Sequence, residues 1–283
     1  MNFNSKVMNL HNLDTTPYLT YKRIEDINFV RHCFSTRLGG VSSGEFKSMN
    51  LSFGRGDSRE NVIENYKRIC SSVGFDFNTL VASAQDHNSV VRCVTKEQRG
   101  IGITKQRDMD SVDGLITNEK GVTLVTYYAD CTPLYFIDVK KQVIGLAHAG
   151  WRGTVKRIGE EMILNMVEKY KSDVSDIVVA IGPAIGQCCY EVDEECCKNF
   201  KEMKNLDRDK FIKDRKNGKY MIDLLETNKQ IVKSVGVKES NIVVSDLCTR
   251  CNNELLWSHR ATNGFRGGMA AFMSIKWQKT KGV

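Results

Sequence analysis

An α+β fold, or a mixed α/β one, is what this sequence predicts, and three observations carry that expectation. Short β-branched and aromatic runs outnumber amphipathic helical stretches. Several of those runs follow one another closely enough to pair as hairpins. A regular strand–helix repeat is missing, as are the GxGxxG and GxxxxGK[ST] patterns, so neither a Rossmann nor a P-loop reading has support. A length of 283 residues allows one large domain or two ordinary ones. With only three prolines and no Pro/Gly/Ser-rich linker, one domain over residues 1–283 is expected, with 1–30 as an extension of less regular character.

Taken in order, residues 1–30 read as an irregular start with a strand-like piece at 18–22. The run Val30–Ser35 reads as a strand leading into Thr36-Arg37-Leu38-Gly39-Gly40. After a loop over 42–50, Asp57 is expected to cap a helix, because Glu60 stands three residues on, at capping-box spacing. Val62, Ile63, Tyr66, Ile69 and Cys70 recur there at helical period. Residues 80–84 read as a short strand delivering Gln85-Asp86-His87, and residues 90–94, 113–116 and 123–128 as further strands. Residues 133–139 and 143–146 read as two more, joined by a turn at Lys140-Lys141. A helix over 154–171 follows, its apolar face made by Val155, Ile158, Met162, Ile163, Met166 and Val167. Residues 177–181 are a strand, and 186–192 a loop turning into one. Asp193 caps a helix through Phe200, and a further helix runs over 221–235. Strands at 242–244, 255–258 and 269–275 close the chain.

Hydrophobic content of 41% with 27% charged residues is that of a soluble globular protein. No apolar run reaches the roughly 18–20 residues of a membrane span. The first residues lack the apolar centre of a signal peptide, so a cytoplasmic location is expected. Most of the ten cysteines are then expected to be reduced thiols, with Cys33, Cys70 and Cys93 plain core residues. A net charge of +7, spread rather than gathered with aromatics, gives no nucleic-acid motif. It would help steer an anionic ligand.

The least ordinary residues lie between Val122 and Arg157. With a tight turn at Lys140-Lys141, Cys131 and His148 become cross-strand or diagonal neighbours. Three readings fit such a pair: a buried Cys beside a hydrogen-bonded His, a thiolate–imidazolium nucleophile, or two ligands of a metal. The metal reading needs a third ligand, and among five histidines His87 is the natural candidate. Cys248-Thr249-Arg250-Cys251 is a CxxC, but a structural zinc site wants a second pair. The doublets Cys188-Cys189 and Cys196-Cys197 read as poor partners for it. Arginines beside glycines, Arg37 and Arg152, and Arg260 in Ser258-His259-Arg260-Ala261, are candidates for holding phosphate or carboxylate. Residues 150–153 stand just before a helix start, which favours an anion there.

FSTRLGG with Asn50-Leu51, the QxH ending at His87, the DG at Asp113, Ala129-Asp130-Cys131, HAGWRG, IGPAIGxCCYEV and DLCTxC together mark a family resemblance. The chain resembles the laccase-like proteins once classed as polyphenol oxidoreductases and now understood as zinc-dependent purine nucleoside phosphorylases with adenosine deaminase activity. The resemblance implies a single α+β domain of mixed sheets with flanking helices. It implies a catalytic zinc on His87, Cys131 and His148, with copper less favoured because the histidines are too few for a multicopper cluster. Substrates would be adenosine, inosine, guanosine and 5'-methylthioadenosine with phosphate. Partners would be these small molecules, with no nucleic acid or membrane, on a monomer or homodimer. In this reading Asp130 is a proton shuttle for deamination, Arg37 and Arg152 hold phosphate, and Gln85, Asn50 and Arg260 contact substrate. Asp86 and His259 stand where the family more often has Val and Tyr. A metal-free cysteine hydrolase using Cys131 and His148, or a non-catalytic zinc-binding protein, are the alternatives.

Overall fold

The computed structural model describes residues 3–108 and 110–276; residues 1–2, at the head of the expected extension, lie outside them. In chain order the first strands are β1 (Met8–His11), β2 (Tyr18–Tyr21), β3 (Val30–Ser35), β4 (Leu80–Ala82), β5 (Val91–Cys93), β6 (Gly114–Thr117) and β7 (Thr123–Tyr128). They continue as β8 (Thr132–Asp138), β9 (Val143–Ala149), β10 (Ile177–Ile181), β11 (Glu191–Asp193), β12 (Ile212–Asp214), β13 (Lys219–Ile222), β14 (Ile242–Val244) and β15 (Met269–Ile275). The helices are α1 (Lys22–Glu25), α2 (Arg59–Val73), α3 (Trp151–Val155), α4 (Ile158–Tyr170), α5 (Glu194–Lys201) and α6 (Leu224–Ser234).

Two six-stranded sheets dominate, ordered β1-β2-β3-β15-β7-β4 and β14-β10-β8-β9-β6-β5, with a small β11-β13-β12 sheet beside them. Both large sheets are mixed: β4 runs parallel to β7, β5 to β6 and β14 to β10, and the other neighbours are antiparallel. The alternation of side chains along the strands makes the layers. Tyr135 and Ile137 of β8 meet Leu124 of β7 and Met273 of β15 in the core between the sheets. Leu134 and Phe136, facing the other way, pack with Met162, Ile163 and Met166 of α4 and Val232 of α6. On the far side of the first sheet, Cys33, Val125 and Phe272 pack with Val62, Tyr66 and Ile69 of α2. The result is helix, sheet, sheet, helix, the α+β arrangement of mixed sheets expected. No helix among the described residues is long and apolar enough to cross a membrane.

Several local expectations need correction. The expected helix over 154–171 is two helices, because Arg157 takes a left-handed φ of 60° between them. Ser58, not Asp57, caps α2, its side chain accepting from Asn61 N. Asp57 instead accepts from Ser42 Oγ at 2.6 Å and Asn50 Nδ2 at 3.0 Å. Residues 219–222 are strand β13, and the helix begins only after the Asp223 cap. Residues 255–258 form no strand, and Trp257 is buried there with its Nε1–H on Met49 O at 2.7 Å. The N-terminal stretch is more regular than expected, since β1 and β2 pair and β2 joins β3. Cys33 and Cys70 are buried, whereas Cys93 is only half-buried.

His32 is buried in β3, its Nε2 accepting from Tyr21 N at 2.8 Å. Burial draws its pKa down to about 3, against about 6.5 in an unfolded chain. Between those values the unfolded chain binds a proton that the folded one refuses. Stability is therefore lost as pH falls from about 6.5, by up to ~1.4 kcal/mol per unit from this group. His32→Gln, which keeps an acceptor for Tyr21 N, is expected to flatten the pH dependence of urea midpoints across pH 6.5 to 4 relative to the parent.

Candidate metal centre and its cavity

The hairpin of β8 and β9 builds half of the centre. Asp138 Oδ1 accepts from Lys140 N and Lys141 N at 2.9 and 2.8 Å, closing the turn. That turn pairs Pro133 with His148 and Thr132 with Ala149. Cys131, one residue before β8, is thus diagonal to His148, as the turn arithmetic expects.

Asp113, buried immediately before β6, builds the other half. Its Oδ1 lies 2.7 Å from His148 Nδ1. The same carboxylate accepts from the backbone of Asp86 and His87 at 3.2 Å each and of Asn88 at 2.9 Å. One group therefore orients a ligand histidine and shapes the loop carrying His87, whose φ is 68°. An ionised carboxylate only accepts, so His148 donates from Nδ1 and leaves Nε2 free for another partner. The ligand atoms of His87, Cys131 and His148 all lie within 4.8 Å of one another.

Charge follows from this packing. Burial would raise the Cys131 thiol, but His148 and His87 pull it down to about 6. Burial opposes a charge on His148, yet Cys131 and Asp113 push it up to about 9. Burial also works against an Asp113 anion, and His148 with the loop N–H groups holds its pKa below the usual value. The packing thus favours a thiolate beside an imidazolium, with the carboxylate behind them.

The donor set suits one zinc-like ion: two imidazoles and a thiolate, with room for a further ligand. The other histidines lie elsewhere. His11 bonds Thr20 and Glu25, His32 is in the core, and His259 sits against Gly264. Two convergent histidines do not make a multicopper cluster. Gly150 leaves the space: a Cβ there would stand 2.6 Å from His87 Cδ2 and 3.3 Å from Cys131 Sγ.

These three residues open into a cavity of about 730 Å³. Arg55, Arg59, Lys105, Arg107 and Arg266 line it, together with Phe53, Tyr127 and Tyr128, and among the described residues no Asp or Glu does. Arg266 is 8% exposed. Its Nη1 donates to Gly267 O at 2.9 Å, while its Nε is buried without a partner. Burial and neighbouring Arg55 draw its pKa down to about 10, still charged at neutral pH.

The other expected site residues are dispersed. Gln85 lines the cavity but spends its amide on the Tyr127 backbone, accepting from N at 2.6 Å and donating to O at 2.9 Å. Asn50 is buried, accepting from Ser52 N and Gly268 N. Arg37 lies over Trp257 and donates to Asn253 O. Arg152 lies over the neighbouring Trp151 ring. Arg260 Nη1 donates to Glu191 O at 3.0 Å, beside a second, smaller recess. None of Asn50, Arg37, Arg152 and Arg260 lines the large cavity. Asp130 does not either: Thr249 Oγ1 donates to its Oδ1 at 2.5 Å and Arg260 N to its Oδ2 at 2.7 Å. Asp113, which the sequence marks only as part of a DG motif with no role attached, and Arg266, which it does not single out, are the residues missed. The sign used for Arg37, an arginine beside glycines, also marks Arg266 before Gly267-Gly268 and Arg55 between Gly54 and Gly56.

Two substitutions test this arrangement. Asp113→Asn is expected to weaken metal retention roughly 10–100-fold in competition with a chelator, the usual effect of losing a ligand's outer partner. Gly150→Ala keeps an ordinary backbone (φ −67°) but pushes on His87 and Cys131. It should cut metal retention while far-ultraviolet circular dichroism stays unchanged.

Known proteins resemble this chain in sequence and fold. Residues 31–276 match the family model described as multi-copper polyphenol oxidoreductase laccase. A protein of Geobacillus stearothermophilus named purine nucleoside phosphorylase YlmD is 38% identical over 240 residues, covering 84% of this chain and 88% of its own. The Bacillus subtilis protein of the same name is 37% identical over 244 residues, covering 86% and 87%. The crystal structure of the Bacillus licheniformis hypothetical protein YfiH superposes with a TM-score of 0.88 at 33% identity, covering 94% of this chain and 98% of that one. This chain belongs to the multi-copper polyphenol oxidoreductase laccase family, within which its similar relatives carry the name purine nucleoside phosphorylase.

Proposed function

We propose that this protein is a zinc-dependent purine nucleoside phosphorylase. It would convert adenosine, inosine, guanosine and 5'-methylthioadenosine to the base and ribose 1-phosphate (5-methylthioribose 1-phosphate from the last), and also deaminate adenosine. One observation carries the reading: among the described residues, the cavity that joins His87, Cys131 and His148 also presents five cationic side chains and no carboxylate. The names of the Geobacillus and Bacillus relatives support it.

His87, Cys131 and His148 would hold the zinc. Bound there, the ion supplies a Lewis acid and activates water near neutral pH. Phosphorolysis joins a phosphate oxygen to ribose C1' as the glycosidic bond breaks and its electron pair leaves with the base. Arg266 would hold the phosphate, its partnerless Nε being satisfied by a phosphate oxygen, with Arg55 and Arg107 adding charge. Phe53, Tyr127 and Tyr128 offer aromatic walls for the purine. Gln85 fixes Tyr127 by two backbone hydrogen bonds, and so acts as a positioning residue. Asp130 likewise fixes the turn before Cys131 through Thr249 and Arg260, a role in place of proton transfer. A second reading, a metal-free cysteine hydrolase, is favoured by the thiol of Cys131 at about 6 beside His148.

Metal-replete protein incubated with adenosine and phosphate is expected to yield adenine and ribose 1-phosphate, with inosine as the product of deamination. Adenine formation should vanish without phosphate and after chelation. Phosphate-independent hydrolysis that persists under chelation and is lost on thiol alkylation would select the hydrolase. Arg266→Met should raise the KM for phosphate roughly 10–100-fold, since a hydrogen bond to a charged group contributes about 1.5–3 kcal/mol. An unchanged KM removes Arg266 from the phosphate site.

A further inference from the structure

The geometry points to a second metal site, a zinc ion held by the thiolates of Cys188, Cys189, Cys248 and Cys251. These four Sγ atoms lie within 4.8 Å of one another, although two come from a doublet and two from a CxxC some 60 residues on. Cys188 and Cys189 are 3.6 Å apart, Cys188 and Cys251 3.7 Å, and Cys189 and Cys251 3.5 Å. A tetrahedron of sulfurs around zinc, with Zn–S of about 2.3 Å, has edges of about 3.8 Å. A disulfide would bring a pair to about 2.05 Å, and all ten cysteines are free.

The backbone is arranged around the sulfurs. Cys189 N and Tyr190 N both donate to Gly186 O, and this turn overcomes the poor reach expected of adjacent cysteines. Asn252 N donates to Cys248 O, winding the CxxC into one helical turn. Gly186 N donates to Cys248 Sγ at 3.2 Å, a contact that favours a thiolate acceptor. A side chain at Gly186 would crowd the group, its Cβ standing 3.2 Å from Cys248 Cβ and 3.3 Å from Cys188 Sγ. Cys188 and Cys251 are exposed, so an ion can enter from solvent. Each thiol passes its proton to solvent as zinc replaces it. Cys196 and Cys197, in α5, stand apart from this group.

The site would act as a clasp. Thr249, inside the CxxC, holds Asp130 Oδ1, and Ile185, just before the doublet, donates its N–H to Asp130 O at 2.9 Å. Closing the cluster ties together the two segments that grip the residue preceding Cys131.

Metal analysis of protein purified under reducing conditions tests the assignment. Cys188→Ser with Cys251→Ser is expected to lose one equivalent of zinc, while Cys131→Ala retains that equivalent. Cobalt-loaded parent protein serves as a check that needs no variant to fold. Its thiolate-to-cobalt absorption should be that of five thiolates where Cys131 also binds, four from this cluster and one from Cys131, and the double variant should fall to about one fifth of it. Should Cys131 bind no metal, the parent still holds one equivalent and the double variant none, so failure of the first site is distinguishable. Equal zinc in parent and double variant would overturn the second site, as would iron in its place or a disulfide among the four cysteines by mass spectrometry.

Discussion

The Asp113 carboxylate is the constraint on which the centre depends. It is buried, where an unpaired anion would be costly. Four donors resolve that cost: His148 Nδ1 and the backbone of Asp86, His87 and Asn88. The same bonds fix two of the three ligand residues, so stabilising the anion and aiming the histidines are one act. Its backbone takes part too, since His148 N donates to Asp113 O at 2.8 Å.

The sheets bring these partners together. β6 lies between β9, which carries His148, and the parallel β5, which follows the His87 loop. The β8–β9 hairpin returns Cys131 beside His148. The first sheet supplies the cavity wall through Tyr127 and Tyr128, next to the cationic residues of the 52–59, 102–107 and 266 segments. Two imidazoles and a thiol thus sit at the meeting of both sheets, backed by the Asp113 carboxylate and beside a cavity whose charged wall residues are cationic.

Legibility followed the range of the forces involved. Val30–Ser35, Thr123–Tyr128, Ile177–Ile181 and Met269–Ile275 were readable at their correct bounds, the middle two because they are β-branched or aromatic runs. The Asp193 cap was readable because capping is local. The break at Arg157 was not, because nothing in the apolar period of 154–171 marks a left-handed residue. Nor was the small sheet: β12 is largely exposed and β13 leads directly into a helix. A glycine-flanked arginine announces close backbone approach but not direction. Arg37 found the Trp257 face, whereas Arg266 entered the cavity.

By itself the sequence determined the α+β class, most strands, the turn that makes Cys131 and His148 neighbours, and His87 as the third donor to consider. All of these rest on periodicity, local turn chemistry and residue type. Tertiary structure decided which arginines face the cavity, that Asp130 is tied into a turn, that Asp113 commands both histidine segments, and that four distant cysteines meet. Each depends on the direction a side chain takes after two sheets have packed. Direction is set by neighbours remote in sequence, and no local pattern carries it.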